Sequence, residues 1–316
     1  MGRVRQLRSR NCVDFLAIQE THLDDVSRFD FHNIWGNEGL DFEVVEATGR
    51  SGGMFNVWNP KVFKKDNSIK NRNFLITTGY LVEDGTRLNC VNIYAPQKLG
   101  EKRELWVLLK GILIDMEGMV ILMGDFNAVR VPEDRKNSRF NHRCASNLNK
   151  FVDGLGLFEY IMRGSKFTCL TSKDGEFKLS KIDRLFVCQS FFNRWPADVL
   201  RALPKDCSDH SPLLLSLVEA NFCSKPFRWF NSWLDREGCK EEVIKVLDNS
   251  VFEGGPDVKL SLKLKAVKNS LISWWHRINK KEGEELSSLQ ADIERMERIM
   301  EEGDLEEQEV WVWEEL

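Results

Sequence analysis

Polar side chains that could bind a metal ion or a phosphate lie at the ends of several predicted strands. In GDFNAV (124–129), Asp125 and Asn127 directly follow the apolar run MVILM (119–123). Strand side chains alternate with a period of two, so both would project from the same side if the strand persists. A carboxylate and an amide placed in this way could hold a metal ion, orient water or bind a phosphate oxygen. A polar turn would give the same pattern, because Asp and Asn are turn formers.

Four further strand ends carry side chains of the same kind. They are Glu20 in IQETH, Tyr94 in NIYAP, Asp183 in SKIDRLFV, and Asp209 with His210 in CSDHSPLLL. If these strands pack together in sheets, their ends can converge on one rim. Carboxylate and amide oxygens suit Mg²⁺ or Mn²⁺, and a histidine beside an acid suits proton transfer or charge stabilisation. The set indicates metal-assisted hydrolysis of a phosphodiester.

Each of these residues also has an ordinary structural explanation. Glu20 could be a solvated strand end, and Tyr94 could be a core aromatic with a wet hydroxyl. Asp183 could pair with a neighbouring Lys or Arg in an exposed hairpin. Asp209 and His210 could cap a turn. The repetition of the pattern at five strand ends favours a shared functional site.

Composition limits the class of protein. The 316 residues suffice for one large domain with an appendage, or for two domains. A net charge of −4 and a pI of about 5.9 disfavour simple coating of DNA, but they allow an enzyme with a local basic face. The eight cysteines include no CxxC pair and predict reduced thiols in a nuclear or cytoplasmic protein. No apolar run reaches the roughly 18 residues of a membrane span.

The elements that must position these side chains are short strands with helices between them. Strand-like segments lie at 13–20, 51–59, 74–82, 87–96, 119–129, 166–171, 177–188 and 211–218, and helical spacing occurs at 102–116 and 144–157. EDGT (83–86) and KDGE (173–176) are typical of hairpin turns. This order predicts an α+β fold with helices outside the sheets.

The pattern changes after residue 218, so we place a domain boundary near 220. Residues 258–316 have an almost entirely helical composition. An a/d-like apolar stripe runs through Leu286, Leu289, Ile293, Met296 and Met300. The stripe is short and predicts either a helical hairpin or an intermolecular coiled coil. We expect this tail to pack loosely and to bind a protein or self-associate.

A basic segment follows the GDFNAV motif. Residues 129–144 contain Arg130, Arg135, Lys136, Arg139 and Arg143. Clustered cations next to a phosphodiester site predict contacts with nucleic-acid phosphates. A solvated surface loop is the alternative.

The motifs QETH, NIYAP, GDFNAV, KIDRLFV and SDHSPLLL occur here in an order that resembles the endonuclease/exonuclease/phosphatase superfamily. RSGGMFNVWN, GSKFTC and FRWFNSWL resemble in particular the endonuclease domain of plant non-LTR retrotransposon polyproteins. The resemblance implies a deoxyribonuclease-like domain over 1–218, a two-sheet β-sandwich flanked by helices in four layers. Residues 219–316 resemble the helical connector that follows this domain, and they lack the FADD-type signature of a reverse transcriptase.

The resemblance also implies a cofactor and a substrate. Mg²⁺ or Mn²⁺ would bind at Glu20, with Asp209 helping at the metal site, and DNA would be the partner. Ser208 and Thr168 match positions near the phosphate. Arg130 and Arg135 stay substrate-binding candidates from the basic segment.

The remaining motif positions imply roles in the chemical step. Tyr94 would steady the scissile phosphate, and Asn127 would bind one of its oxygens. Asp125 would orient or deprotonate the attacking water, or protonate the leaving group. His210 would stabilise the phosphorane-like state, with its ring fixed by Asp183.

Two departures from the family pattern affect the expected activity. Family members begin with a strand of the type SWNVRG, whose Asn belongs to the metal site. No such strand precedes the helical segment in residues 1–316, and Asn11 is no substitute because it follows that segment. Cys169 stands where the subgroup usually has Trp. We therefore expect an N-terminally truncated fragment with reduced stability and weak activity. An inactive relic or interaction module, or a phosphodiesterase acting on RNA or a small phosphate ester, are the alternatives.

Overall fold

The structure is a computed structural model. It describes residues 2–302 with gaps at 37, 48–51, 174–175, 197, 206–207, 218–232, 234–235, 237 and 250–253, and several side chains after residue 275 also fall outside the description. The described residues form two compact units, the first containing residues 2–217 and 297–302 and the second containing the described residues of 219–296. The predicted boundary near residue 220 lies outside the described residues.

The first unit contains all of the described strands. They are β1 (Phe15–Gln19), β2 (Asp41–Val45), β3 (Met54–Trp58), β4 (Phe63–Asn71), β5 (Phe74–Leu81), β6 (Arg87–Tyr94), β7 (Met119–Asp125), β8 (Arg135–Lys136), β9 (Phe158–Glu159), β10 (Met162–Gly164), β11 (Cys169–Lys173), β12 (Glu176–Ser180), β13 (Asp183–Val187), β14 (Val199–Ala202) and β15 (Leu213–Ser216). The described helices are α1 (Gly2–Asn11), α2 (His32–Trp35), α3 (Leu99–Ile114), α4 (His142–Gly154), α5 (Gln189–Arg194), α6 (Cys239–Asn249) and α7 (Pro256–Glu302).

The strands form a sandwich whose second layer is divided. A six-stranded sheet has the order β4-β5-β6-β7-β13-β9. The three-stranded sheet β2-β3-β1 packs over β4 to β7 of this sheet, and β15 of a second three-stranded sheet, β10-β14-β15, packs against β13. A small hairpin sheet, β11-β12-β8, extends from the sandwich. The predicted α+β sandwich is confirmed, and the division of its second layer was not predicted.

Alternating side chains place apolar residues on both faces of the six-stranded sheet. One face packs against α3 and α4 through Trp106 and Phe151, and the other contacts Trp58 of the divided layer. The outer side of β3 packs against α2, where Ile34 and Trp35 are fully buried. Helices therefore cover both outer faces of the sandwich.

The segment at 177–188 is not the single strand that its sequence predicts. It divides at Lys181 and Ile182 into β12, which pairs within the hairpin sheet, and β13, which pairs with β7. The Ile182 carbonyl accepts from the Phe126 N–H at 3.0 Å, so this break is held against the end of β7. The division places Asp183 at the start of a central strand.

The second unit contains α6 and most of the 47-residue helix α7, up to residue 296. Trp233 and Trp274 form its apolar centre with Cys239 and Leu271. Glu242 of α6 accepts a hydrogen bond from Ser270 of α7 at 2.7 Å, so the two helices contact each other as in a hairpin. For the predicted stripe from Leu286 to Met300, the structure describes the helical backbone, and the five side chains lie outside the description. None of the described helices is both long and apolar enough to cross a bilayer.

Candidate active site

Three neighbouring strands bring functional side chains to one rim of the six-stranded sheet. Tyr94, at the end of β6, lies opposite Asp125 at the end of the parallel strand β7. Asp183, at the start of the antiparallel strand β13, lies opposite Asp125 on the other side. The sheet order thus places a phenol and two carboxyl groups side by side.

Backbone geometry at the end of β7 directs the Asp125 carboxylate. Gly124 has a φ of +130°, and a Cβ there would lie 2.1 Å from the Ile93 carbonyl oxygen. Only glycine fits this close approach. The Asn127 backbone is left-handed, with φ at +48°, and its N–H donates to Asp125 Oδ1 at 2.7 Å. This turn holds the carboxylate in one orientation.

Protein partners engage the Asn127 side chain and its backbone. Its Nδ2 donates to the Ala95 carbonyl at 2.8 Å, and its Oδ1 accepts from Gln97 Nε2 at 2.8 Å. The buried Lys102 ammonium donates to the Asn127 carbonyl. The Asn127 side-chain amide was predicted to bind a phosphate oxygen. After these bonds, its second Nδ2 N–H remains for that contact. Gln97 and Lys102 were not predicted, because neither belongs to a motif.

Glu20 and Tyr94 join the two sheet layers at this rim. The Tyr94 hydroxyl donates to Glu20 Oε1 at 2.5 Å. Burial, followed by the Glu20 hydrogen bond, raises the pKa of Tyr94 far above neutral, so the phenol remains a proton donor. Glu20 itself is exposed and has a left-handed backbone with φ at +52°. An exposed carboxylate of this kind can supply an oxygen ligand to a metal ion.

His210 forms an ion pair with Asp183. Nδ1 of His210 lies 2.9 and 3.0 Å from the two carboxylate oxygens of Asp183. Burial alone would lower the pKa of His210, but hydrogen bonds and charge from Asp183, and then Cys169, outweigh it and raise the pKa to about 11. The ring is therefore an imidazolium at neutral pH. Its backbone N–H donates to Ser208 Oγ at 3.1 Å.

Asp125 is the carboxyl group whose protonation changes near neutral pH. Burial, and then the negative charge of Asp183, raise the pKa of Asp125 to about 7, although the Asn127 N–H and His210 favour the charged form. A carboxyl group with this pKa can accept or release a proton during turnover.

The family model for the endonuclease/exonuclease/phosphatase family matches residues 2–210 of this chain, which include every element of the rim. The chain belongs to the endonuclease/exonuclease/phosphatase family. Its resemblance to this superfamily, inferred from five short motifs, is thereby confirmed.

Three relatives illustrate the similarity. The transposon TX1 uncharacterized 149 kDa protein of Xenopus laevis is 27% identical over 169 residues, which cover 51% of this chain and 13% of that protein. The endonuclease domain of TRAS1, a telomere-specific non-LTR retrotransposon, has a TM-score of 0.52 at 16% identity, covering 70% of this chain and 93% of that domain. The 3′ phosphatase NExo from Neisseria, bound to a product DNA hairpin, has a TM-score of 0.53 at 16% identity, covering 69% and 93%.

The chain therefore spans about an eighth of the TX1 protein's length. The two structural similarities, at 16% identity, establish the shared fold. Similarity to transposon and retrotransposon proteins agrees with the resemblance to a retrotransposon endonuclease domain that the sequence motifs indicated.

The position of Thr168 in this family domain differs from the expected one. Its side chain is fully buried, and its Oγ1 accepts from the backbone N–H groups of Ile182 and Asp183, the latter at 3.0 Å. Thr168 thus holds the backbone of Asp183 and is out of reach of a substrate phosphate. Ser208, in contrast, is exposed beside His210.

The two arginines predicted to bind substrate both have partners within the protein. Arg130 donates from Nε to Asn149 Oδ1 at 2.8 Å and pairs with Glu159 at 3.3 Å. Arg135 donates to Ser138 Oγ at 3.3 Å. The segment's exposed cations for phosphate contact are Arg139 and Arg143.

The donor set at the rim suits a hard metal ion in part. Glu20 offers a carboxylate oxygen, and Mg²⁺ commonly uses one or two protein carboxylates and completes its coordination with water and substrate phosphate. Glu20 and Asp209 were predicted to share the metal site. Among the described residues, Asp209 groups with Cys169 and His210, and no compact group of three such donors includes Glu20.

A buried polar network behind the rim was missed by the sequence analysis. Gln19, next to Glu20, donates to Asn92 Oδ1 at 2.5 Å. Asn92 donates in turn to the Ile18 carbonyl at 3.2 Å and to Asn56 Oδ1 at 2.9 Å. These bonds tie the strand of Glu20 to the strand of Tyr94. The sequence offered one indication of this network: Asn92 lies two positions before Tyr94 and therefore on the same side of β6.

Asp125→Asn is expected to stabilise the domain at pH 8. The folded state raises the pKa of this carboxyl to about 7. Its contribution to stability is therefore full below the unfolded pKa of about 4 and is lost as the pH rises through about 7. Asn is never charged, so we expect the Tm to increase by about 3–6 °C at pH 8 and to change little at pH 4.

Thermal unfolding at both pH values measures this effect. Glu104→Gln, on the exposed side of α3, is the matched control and should show no such difference. An equal Tm change for Asp125→Asn at the two pH values would contradict a raised pKa.

Proposed function

We propose that this chain is a metal-dependent DNA endonuclease domain of the retrotransposon type, which nicks DNA by hydrolysing a phosphodiester bond. One observation carries the proposal. The Asp183–His210 ion pair, the Asp125–Asn127 turn and the Tyr94–Glu20 hydrogen bond meet at one rim. They provide a cation, a proton-transfer group and a metal ligand for one reaction centre.

The residues of the rim divide the chemical step between them. Asp125, with a pKa near neutral, takes a proton from the attacking water or returns one to the leaving oxygen. The His210 imidazolium stabilises negative charge that develops on the phosphate oxygens. The Tyr94 phenol donates to the same phosphate or keeps Glu20 oriented. When bound at Glu20, Mg²⁺ or Mn²⁺ would polarise the phosphate and stabilise the leaving oxyanion.

Two observations support DNA as the substrate. Arg139 and Arg143 are exposed in the segment that follows the catalytic turn. The NExo relative was solved with a product DNA hairpin, and the TRAS1 relative is a retrotransposon endonuclease domain. The nucleus or cytoplasm is the matching location, where the cysteines would stay reduced. Binding of a protein or a second copy by the helical tail is a separate proposal.

Nicking of supercoiled plasmid by the full chain tests the function. We expect activity with Mg²⁺ or Mn²⁺, none with EDTA, and a loss of about 100-fold or more in Glu20→Gln, because this substitution removes the metal-binding charge. Glu104→Gln is the control for loss of an exposed carboxylate. Metal-independent nicking, or a Glu20→Gln rate equal to wild type, would overturn the proposal.

The same assay separates the alternatives. RNA and small phosphate esters run beside the plasmid identify a different substrate. A folded chain that hydrolyses none of them is the inactive relic or interaction module.

A further inference from the structure

Cys169 faces the catalytic histidine across a short antiparallel bridge. The two residues are bridge partners, and the neighbouring bonds run from Leu170 N–H to the Asp209 carbonyl at 2.8 Å and from Ser211 N–H to the Thr168 carbonyl at 2.6 Å. Side chains of directly opposed residues on an antiparallel pair lie close together. The backbone thus fixes a thiol beside the imidazole.

Asp209 completes a three-residue group. Sγ of Cys169, one ring nitrogen of His210 and a carboxylate oxygen of Asp209 all lie within 4.8 Å of one another. In the part of the chain that the structure describes, this is the one such group of three. Cys169 is buried, His210 is half-buried and Asp209 is exposed, so the group opens to solvent on the Asp209 side.

This donor set differs in kind from that of Glu20. Mg²⁺ prefers hard oxygen ligands, whereas thiolate, imidazole and carboxylate together are the ligands of Zn²⁺. Asp183 engages Nδ1 of His210, so the metal ion binds at Nε2 by displacing the proton that Nε2 carries in the imidazolium. A carboxylate on the second ring nitrogen is the usual support of a zinc-binding histidine, because it orients the ring and raises its basicity.

We propose that Cys169, Asp209 and His210 form a binding site for Zn²⁺ or another thiophilic divalent cation. Three protein ligands leave the fourth tetrahedral position to water. The ligand atoms must approach by about 1 Å to reach bonding distance, and the exposed Asp209 side chain can make most of this movement. The Cys169 thiol proton and the Nε2 proton of the His210 imidazolium both pass to solvent as the metal ion binds, while Nδ1 keeps its proton on Asp183.

Occupancy of this site has a consequence that rests on the proposed function. A bound cation takes the Nε2 of His210 that would otherwise face the phosphate. Zn²⁺ therefore inhibits hydrolysis that Mg²⁺ supports, and Cys169 makes the inhibition specific to thiophilic ions.

Metal binding is tested on the full chain, with its thiols kept reduced by a phosphine. Co²⁺ occupies tetrahedral zinc sites, and its bond to a thiolate gives a charge-transfer absorption. We expect this absorption in the wild type, its loss in Cys169→Ser and its displacement by Zn²⁺. Asp209→Asn, at an exposed position, should keep the absorption and weaken affinity by about 10-fold or more.

Two cysteine controls make the test specific. Cys188→Ser removes a half-buried thiol elsewhere in the domain. Cys207→Ser removes a thiol that is close in sequence to Asp209 and lies outside the described residues. Both variants should retain the absorption. Its persistence in Cys169→Ser, its loss in Cys207→Ser, or its absence from the wild type would overturn the proposed site.

Inhibition is measured separately, as the nicking rate with Zn²⁺ divided by the rate of the same variant with Mg²⁺ alone. We expect at least a 10-fold higher Zn²⁺ concentration for half inhibition in Cys169→Ser than in wild type. Equal sensitivity would overturn the inhibitory role. A chain that binds Co²⁺ and Zn²⁺ through Cys169 but nicks nothing would refute the nuclease proposal and leave the metal site standing.

Discussion

His210→Ala is expected to lower the rate of DNA nicking by about 10³-fold. The His210 ring is held as an imidazolium by Asp183, at 2.9 Å, and is the cationic side chain that lies beside the carboxyl groups of the rim. Alanine removes the group that stabilises charge on the phosphate. It also leaves Asp183 beside Asp125 without a cation, so two carboxyl groups compete for one proton. The rate should fall while metal binding at Glu20 is retained.

Asp183→Asn separates positioning from charge. The amide can still accept from Nδ1, but it no longer holds the proton on the ring. We expect an intermediate loss of rate, and a loss that grows as the pH rises above about 6.5, the usual pKa of a histidine. Gln189→Ala, on the exposed start of α5, is a control for mutation near the sheet. A His210→Ala rate within threefold of wild type would remove His210 from the proposed mechanism.

The ion pair also predicts how stability depends on pH. The pKa of His210 is raised in the folded state to about 11. Its stabilising contribution is therefore full below the unfolded pKa of about 6.5 and is lost as the pH rises through the folded value. Wild type and His210→Ala should differ most in Tm at acidic to neutral pH and should converge in alkali.

Local sequence patterns were sufficient to find the strand ends of the site. A buried run followed by a polar pair marks the end of β7, and the period-two alternation marks which faces are apolar. The relative order of strands is a tertiary property, however. That Tyr94 and Asp183 both lie opposite Asp125 became known only from the sheet order.

Side-chain exposure was the feature that the sequence could not predict. Arginine is a residue type that commonly binds phosphate, but the Arg130 side chain is bonded to Asn149 and Glu159. Thr168 lies in a family motif, but it is fully buried behind Asp183. A motif identifies the residue type and the backbone position, whereas the partners that occupy its polar atoms come from distant segments.

The division of the second layer leaves two of its described strands with one pairing partner each. Among the described strands, β1 pairs with β3 alone, and β15 pairs with β14 alone. All residues of β1 and β15 are half-buried, whereas every residue of β3 is buried. β1 packs over β6 and β7, and β15 packs against β13, the next strand of the six-stranded sheet. Two strand edges with unmatched backbone groups thus lie over adjacent strands.

An added strand that fills this position is expected to raise the nicking rate by about 10²–10³-fold. The strand would be of the SWNVRG type and fused before Gly2. Its backbone would pair with β1, which ends directly before Glu20, and its Asn would add an oriented polar group to the metal site. Pairing with β1 should also hold Glu20 more rigidly. This should increase the rate, because loosely held ligands reduce catalytic efficiency. Plasmid nicking with Mg²⁺ and thermal unfolding, measured on the same protein, report the two effects.

A matched fusion with Ala in place of the Asn separates backbone pairing from metal binding. It should gain the same thermal stability as the first fusion and only a small part of the rate. A fusion with Pro in the strand should gain neither, because Pro removes a donor and breaks the pairing. If the unfused chain already nicks as fast as the Asn fusion, the open edges do not limit activity. If all forms fold and none nicks, the chain is a non-catalytic member of the family.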